Sequence, residues 1–160
     1  MKFQRTLVLL KPDALQRNLL GEIISRFEKK GLKIIGLKMI HLSDALLDEH
    51  YIQHKDKPFF GTLKNFMKSS PVVAMALEGI DAVAVVRIMC GKTQGREADM
   101  GTIRGDFSIS GQATIVHASD ALDTAERELK IFFKQEEIFE YKKLDFEATY
   151  GEEERADLEL

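Results

Sequence analysis

The apolar positions of the chain switch between a period of two and a period near 3.6, and each switch marks an element. Residues Phe3 to Leu10 are rich in β-branched and aliphatic side chains and end at Lys11-Pro12, where a proline interrupts a central ladder. They are expected to form a strand that leaves Lys11 at its exit. Leu20, Ile23, Ile24 and Phe27 recur at helical spacing and Gly31 follows as a stop, which predicts an amphipathic helix lying on the sheet. Lys33 to Leu42 alternates as a second strand, and Ser43 is the N-cap of a helix through Leu46, Leu47 and His50. Pro58-Phe59-Phe60 opens a further helix, on which Phe59 and Leu63 lie one turn apart. Val72 to Leu77 is an uninterrupted apolar run, the mark of an inner strand covered on both faces, with Gly79 at its end. Ile80 to Cys90 places Val83, Val86 and Cys90 on one helical face, stopped by Gly91. Ile115-Val116 is a short β-branched run that delivers His117 just before a last helix. Ala125, Leu129, Phe132 and Phe133 are the buried stripe of that helix, behind an Asp123-x-x-Glu126 capping box. The order strand, helix, strand, helix, helix, strand, helix, short strand, helix predicts an α+β sandwich with helices on an antiparallel sheet.

Composition narrows the picture. With 160 residues, 44% hydrophobic and 31% charged, the chain can bury one core without splitting in two. The net charge of -3 argues against a general nucleic-acid binder, so no specific nucleic acid is expected, and any phosphate site must be a local cluster of cations. Cys90 is the only cysteine, which rules out an intrachain disulfide and fits a reducing compartment; it reads as a small apolar helix residue. No apolar signal region and no membrane-length run is present, so no membrane association is expected and the cytoplasm is the expected location.

The chemistry concentrates between Gly101 and Asp120, where an arginine, several hydroxyls and a glycine-punctuated loop precede His117. A neutral imidazole nitrogen attacks phosphorus readily near neutral pH, since its unperturbed pKa is about 6.5. Arg104 is placed to meet the charge on such a phosphoryl group. Lys11, at a strand exit, is either a phosphate or ribose contact or a solvated lysine. Glu128 borders the apolar stripe of the last helix and either points inward near His117 or is a solvated flank. His50 and His54 stand i, i+4, but without the glutamate of a His-Glu-x-x-His arrangement they are not taken as a metal site. Gly91-Lys92-Thr93 is not a P-loop, because Val86 occupies the first glycine position and a helix precedes it. The polar stretch from Gly91 to Gln112 is long for a structureless connection and is therefore suspected of function.

Several segments resemble those of nucleoside diphosphate kinases in order and spacing. They are Thr6-Leu7-Val8-Leu9-Leu10-Lys11-Pro12-Asp13-Ala14, His50-Tyr51, Lys57-Pro58-Phe59-Phe60, Gly101 to Phe107, and His117-Ala118-Ser119-Asp120. The resemblance runs from about Arg5 to about Tyr141. It implies a ferredoxin-like βαββαβ antiparallel sheet covered by helices, with a catalytic domain over residues 1–143; beyond Lys143 the resemblance stops, and Glu152, Glu153, Glu154, Asp157 and Glu159 read as a solvated acidic tail over 144–160. The resemblance implies ping-pong transfer of a terminal phosphoryl group from a nucleoside triphosphate to a diphosphate through His117. In that reading Glu128 orients the imidazole and Lys11 reaches phosphate and ribose. Arg87, Arg104, Thr93 and Tyr51 surround the phosphates, and Phe59 and Leu63 sandwich the base. Mg²⁺ is expected to arrive with the nucleotide, with no protein ligands of its own, and a homo-oligomer is expected.

The chain departs from the family pattern in four places. Gln112-Ala113-Thr114 stands where Gly-Arg-Asn is usual, so Thr114 replaces an asparagine that contacts the sugar hydroxyl. Ala118 replaces a glycine, which is expected to restrict the backbone beside His117. Gly61 and Gly95 stand where prolines are common, which is expected to loosen the two loops. These departures leave a nucleotide-binding regulator with reduced turnover as the alternative to an active enzyme. A structural or nucleic-acid-binding module on the same scaffold is the third reading.

Overall fold

The computed structural model describes residues 3–156. The first strand, β1 (Phe3–Leu10), is followed by a short helix, α1 (Pro12–Gln16), with Pro12 in its first turn, where the ring's missing N–H costs nothing. Helix α2 (Leu20–Lys29), strand β2 (Lys33–Ile40), helix α3 (Asp44–His50) and helix α4 (Phe60–Lys68) come next. Ser43 caps α3 as expected, its hydroxyl accepting from the Leu46 N–H at 3.2 Å. Strand β3 (Val72–Ile80), helix α5 (Ala82–Cys90), helix α6 (Ile103–Phe107), strand β4 (Val116–Ala118) and helix α7 (Leu122–Phe132) complete the core.

The four strands form one antiparallel sheet in the order β2-β3-β1-β4, the ferredoxin-like arrangement. β1 and β3 are the inner strands and pair along their whole length, from Phe3 opposite Ile80 to Leu10 opposite Val73. Alternation sorts their side chains to two faces. Val8, Leu10, Met75 and Leu77 pack against Ile23, Phe27 and Val86 of α2 and α5, whereas Leu7, Leu9, Ala74 and Ala76 pack against Leu47, Met67 and Phe132 of α3, α4 and α7. Both faces of the inner strands are buried under helices over most of their length, and truncating a residue such as Phe27 to alanine costs about 3–5 kcal/mol. Residue Ile35 bulges β2 between Ile34 and Gly36, so the strict alternation read over this strand breaks there.

Several boundaries differ from the sequence reading: β2 ends at Ile40 rather than Leu42, and α4 begins at Phe60, after Pro58 and Phe59. Gly79 lies inside β3, because a Cβ there would come within 3.0 Å of Leu32 Cδ2; it is a close-approach glycine rather than a strand stop. Helix α5 accordingly starts at Ala82, after Asp81 turns the chain at a φ of 48°. Helix α7 begins at Leu122, so Asp123 falls in its first turn and binds the neighbouring Thr124 N–H at 2.8 Å instead of capping the helix. The stretch from Gly91 to Gln112 is also not structureless: it holds a 3-10 turn at Gly95–Glu97 and α6.

Beyond Lys143 the chain forms two short helices, α8 (Phe146–Thr149) and α9 (Glu152–Ala156), where the charge pattern predicted only a solvated tail. The Tyr150 ring meets Phe3 edge-on at 6.4 Å, so an aromatic contact that the charge pattern hides lays this segment on the sheet. Asp157 and Glu159, read as part of the acidic tail, lie outside the described residues. Among the described residues no helix is long and apolar enough to cross a membrane.

Candidate active site

The exit of β1, the adjoining β4 and the loop before it open onto a cavity of about 650 Å³. Its wall includes Lys11, Tyr51, Phe59, Leu63, Arg87, Thr93, Arg104, Thr114, His117 and Glu128, so the structure brings together the residues that the resemblance assigns to the nucleotide site.

His117 stands on β4, paired with Leu9 of β1, and its side chain keeps 23% exposure. Its backbone approach is strained. Ile115, a β-branched residue, has a φ of 67°, a conformation that costs about 1–3 kcal/mol. Two contacts hold it: the Ile115 N–H donates to Asp13 Oδ2 at 2.9 Å, and its carbonyl accepts from the Lys11 N–H at 2.9 Å. Ala118 itself lies in regular strand opposite Val8, so its methyl group adds no strain beside the imidazole. The positive φ falls on Ile115 instead.

Behind the imidazole, His117 Nε2 lies 3.1 Å and 3.2 Å from the two oxygens of Glu128, which is 1% exposed. Glu128 therefore points inward, and the carboxylate accepts the Nε2 proton, which leaves the lone pair on Nδ1. Ser119 Oγ, fully buried, donates to Glu128 Oε2 at 2.6 Å. Burial by itself would raise the Glu128 pKa. The hydrogen bonds from His117 and Ser119 outweigh it and hold the group below the usual carboxylate range. His50 packs on the far side, its Nδ1 3.4 Å from Glu128 Oε1 and its ring centroid 4.6 Å from that of His117. Burial pushes the His50 pKa down to about 3, with His117 adding to the effect, so His50 is neutral.

The cations divide into two kinds. Arg104 is 3% exposed and donates to three backbone carbonyls, Gly91 at 2.7 Å, Thr114 at 3.3 Å and Val116 at 2.7 Å. The side chain expected on the phosphate is thus also a strut that ties α5, the loop and β4 together, with the remaining N–H donors of its guanidinium left over. Arg87, half-buried on α5, makes no protein hydrogen bond or ion pair among the described residues. Lys11 is 6% exposed, and its ammonium donates to the Gln112 carbonyl at 2.9 Å and Thr114 Oγ1 at 3.0 Å. Burial lowers its pKa to about 8, Asp13 working against that and Arg104 adding to it.

Phe59, 46% exposed, and the half-buried Leu63 form an apolar lip on α4 and the turn before it, with the His54 ring 5.7 Å from Phe59. Tyr51 is buried with its ring 6.2 Å from His117, and burial raises its phenol pKa. Thr93 is exposed at the rim. Gly95, expected to loosen its loop, is instead buried. Its N–H donates to the Ser110 carbonyl at 3.4 Å, and a Cβ there would overlap the Ser108 carbonyl.

Ser119, Asp13 and Ile115 were not singled out from the sequence. Ser119 was findable, since a residue two positions after His117 on a strand shares its side. The contact of Asp13 with Ile115 spans 102 positions and leaves no local signal.

A helix-covered α+β sheet with a cationic cleft and one accessible, carboxylate-backed imidazole is the class of protein that this fold and site define. Residues 4–138 match the nucleoside diphosphate kinase family. A nucleoside diphosphate kinase of Parabacteroides distasonis is 52% identical over 151 residues, spanning 94% of this chain and 99% of that protein. The structure of a halophilic nucleoside diphosphate kinase from Halobacterium salinarum in complex with CDP superposes with a TM-score of 0.91 at 41% identity, covering 94% of this chain and 100% of that one. A transition state mimic of the Borrelia burgdorferi enzyme, with bound vanadate and ADP, superposes with a TM-score of 0.84 at 36% identity, covering 89% and 94%. The chain belongs to the nucleoside diphosphate kinase family, and its activity is phosphoryl transfer between nucleotides.

Proposed function

We propose that His117 carries the phosphoryl group between a nucleoside triphosphate and a nucleoside diphosphate in two mirrored half-reactions. The observation that carries this reading is the His117 Nε2 to Glu128 pair, which keeps the Nδ1 lone pair available at the cavity wall. In the first half-reaction Nδ1 bonds to the γ-phosphorus as the bond to the β,γ-bridging oxygen breaks, and the diphosphate leaves with that oxygen. The ring gains positive charge, which Glu128 offsets through the Nε2 proton. A terminal oxygen of the second diphosphate then attacks phosphorus, and the N–P bond breaks.

Phosphoryl transfer through a loose transition state depends mainly on position and charge. Arg87 supplies a guanidinium unpaired among the described residues, Lys11 one spare N–H, and Thr93 and Tyr51 hydroxyls. Arg104 adds its leftover donors. Phe59 and Leu63 form an apolar slot that stacks a base without reading its edge. The carboxylates lining the cavity are Asp120 and Glu128, and Glu128 is engaged by His117 and Ser119. That donor set does not make an Mg²⁺ cage, so Mg²⁺ is read as part of the substrate, held by phosphate oxygens and water.

Residues 1–143 are read as the catalytic domain and 144–160 as an appended acidic segment. Exposed Leu37 and Met39 on the edge strand β2, 51% and 56% accessible, support a homo-oligomer. Cys90 as the single cysteine supports a cytoplasmic location. The test is ATP-to-TDP exchange by the wild type and by His117→Ala: the expected result is activity in the first and background in the second. Comparable rates in both remove His117 as the carrier.

A further inference from the structure

We propose that His50, His117 and Glu128 form a binding site for a zinc-type divalent cation, one that excludes the phosphoryl group from His117 and is excluded by it. This goes beyond the phosphoryl-transfer reading, which needs no such ion.

His50 ends α3 and is 1% exposed, yet among the described residues neither ring nitrogen has a hydrogen-bond partner. A buried polar group left so is costly, and its position is not explained by packing alone. What its Nδ1 faces, at 3.4 Å, is Glu128 Oε1, the same oxygen that lies 3.1 Å from His117 Nε2. Ligand atoms from all three side chains lie within 4.8 Å of one another. The i, i+4 partner His54 is not among them; it sits on a 3-10 turn in the cavity wall.

The spacing suits a tetrahedral ion. Bonds of about 2.0–2.1 Å place neighbouring ligand atoms about 3.3 Å apart. The two carboxylate-to-imidazole edges, at 3.1 and 3.4 Å, already lie near that value, so only the edge between the rings has to close. Two imidazoles and one carboxylate form the donor set of a three-ligand zinc site that keeps its fourth position for water. Entry is from the cavity, whose wall includes His117 and Glu128. His50 is neutral through burial and binds without losing a proton, whereas the single N–H of the His117 ring moves from Nε2 to Nδ1 when Nε2 takes the metal. Mg²⁺, which prefers oxygen ligands and its own waters, is a poor fit.

The ion and the phosphoryl group oppose each other for a chemical reason. Metal on Nε2 leaves the ring proton on Nδ1, which removes the attacking lone pair, and it occupies the carboxylate that would offset the charge gained there. A ring phosphorylated on Nδ1 keeps its Nε2 proton towards Glu128, and two ligands are then left.

The test uses the full chain without nucleotide, in equilibrium dialysis against Zn²⁺, with Co²⁺ as a spectroscopic substitute. The expected result is one equivalent per chain and tetrahedral Co²⁺ absorption. His50→Phe, which keeps a ring against Phe132 and Tyr51, is expected to weaken binding by about a hundredfold, at least the cost of losing an outer-shell partner. Protein phosphorylated with ATP and desalted is expected to take up no Zn²⁺ until a diphosphate removes the phosphoryl group. Zn²⁺ inhibition of exchange, normalised to the metal-free rate of each protein, is expected to weaken in parallel. The proposal is overturned by the absence of a stoichiometric ion, by equal binding in His50→Phe, or by loss of binding in His41→Asn, which removes an exposed histidine. Should His50→Phe not fold, uptake by the phosphorylated protein decides alone. Because dialysis needs no turnover, failure here leaves the exchange reading standing.

Discussion

Lys11 Nζ donates to Thr114 Oγ1 at 3.0 Å, so the residue that replaces the family's asparagine grips the lysine. Both are buried, with 6% and 5% exposure. Thr114 thus acts on a nucleotide through the position of the Lys11 ammonium. Thr114→Val keeps the shape and removes the acceptor, which costs about 1 kcal/mol, or roughly a fivefold rise in KM. Ribo- and deoxyribonucleotides are expected to be affected alike. A KM rise confined to one sugar type in steady-state assays would mean direct contact with the sugar.

Burial sets the charge of Lys11 within reach of ordinary buffers. Its pKa is lowered to about 8, so nucleotide KM is expected to rise above that pH as the ammonium loses its proton, and Lys11→Met is expected to erase the inflection. The stability effect has the opposite direction. Between pH about 8 and 10.4 the unfolded chain binds more protons at this site than the folded one, so this lysine's contribution to stability improves across that window. A KM profile flat through pH 8 in the wild type would rule out a charged Lys11 at the nucleotide.

Glu128 holds one tautomer and offsets one charge. Glu128→Gln offers an amide that can donate to Nε2, which favours the wrong tautomer. The fall in kcat is expected to be about a hundredfold or more, with KM little changed. The depressed pKa of Glu128 also stabilises the fold above the usual carboxylate range, and that contribution is lost as pH falls through the folded-state value. An unchanged kcat in Glu128→Gln would assign the carboxylate to folding alone.

The two glycines at proline-prone positions are expected to respond in opposite ways. A Cβ at Gly61, near the start of α4, meets nothing within 4 Å, so Gly61→Ala should stabilise by about 0.5–1 kcal/mol. At Gly95 the Ser108 carbonyl is in the way, and Gly95→Ala or Gly95→Pro should destabilise by about 1–3 kcal/mol. Thermal melts check both, and a stabilised Gly95→Pro would show that the loop rearranges.

The sequence by itself determined the four strands and the helices α2, α3, α4, α5 and α7, because alternation on β1, the apolar run of β3 and the helical stripes of α2 and α7 are local periodicities; the short helices α1, α6, α8 and α9 carry no such stripe. It also supplied His117 and the groups that line its cavity, since these sit in short motifs whose order is carried by the chain. Tertiary structure decided what those groups do to one another. Arg104 spends donors on three carbonyls, Asp13 holds a strained Ile115, and an aromatic contact draws the segment after Lys143 onto the sheet. His50 faces Glu128 rather than His54, which lies beyond the end of α3 on a 3-10 turn. These facts depend on burial and on contacts across tens of residues, and a one-dimensional pattern carries no record of which buried polar atom finds a partner.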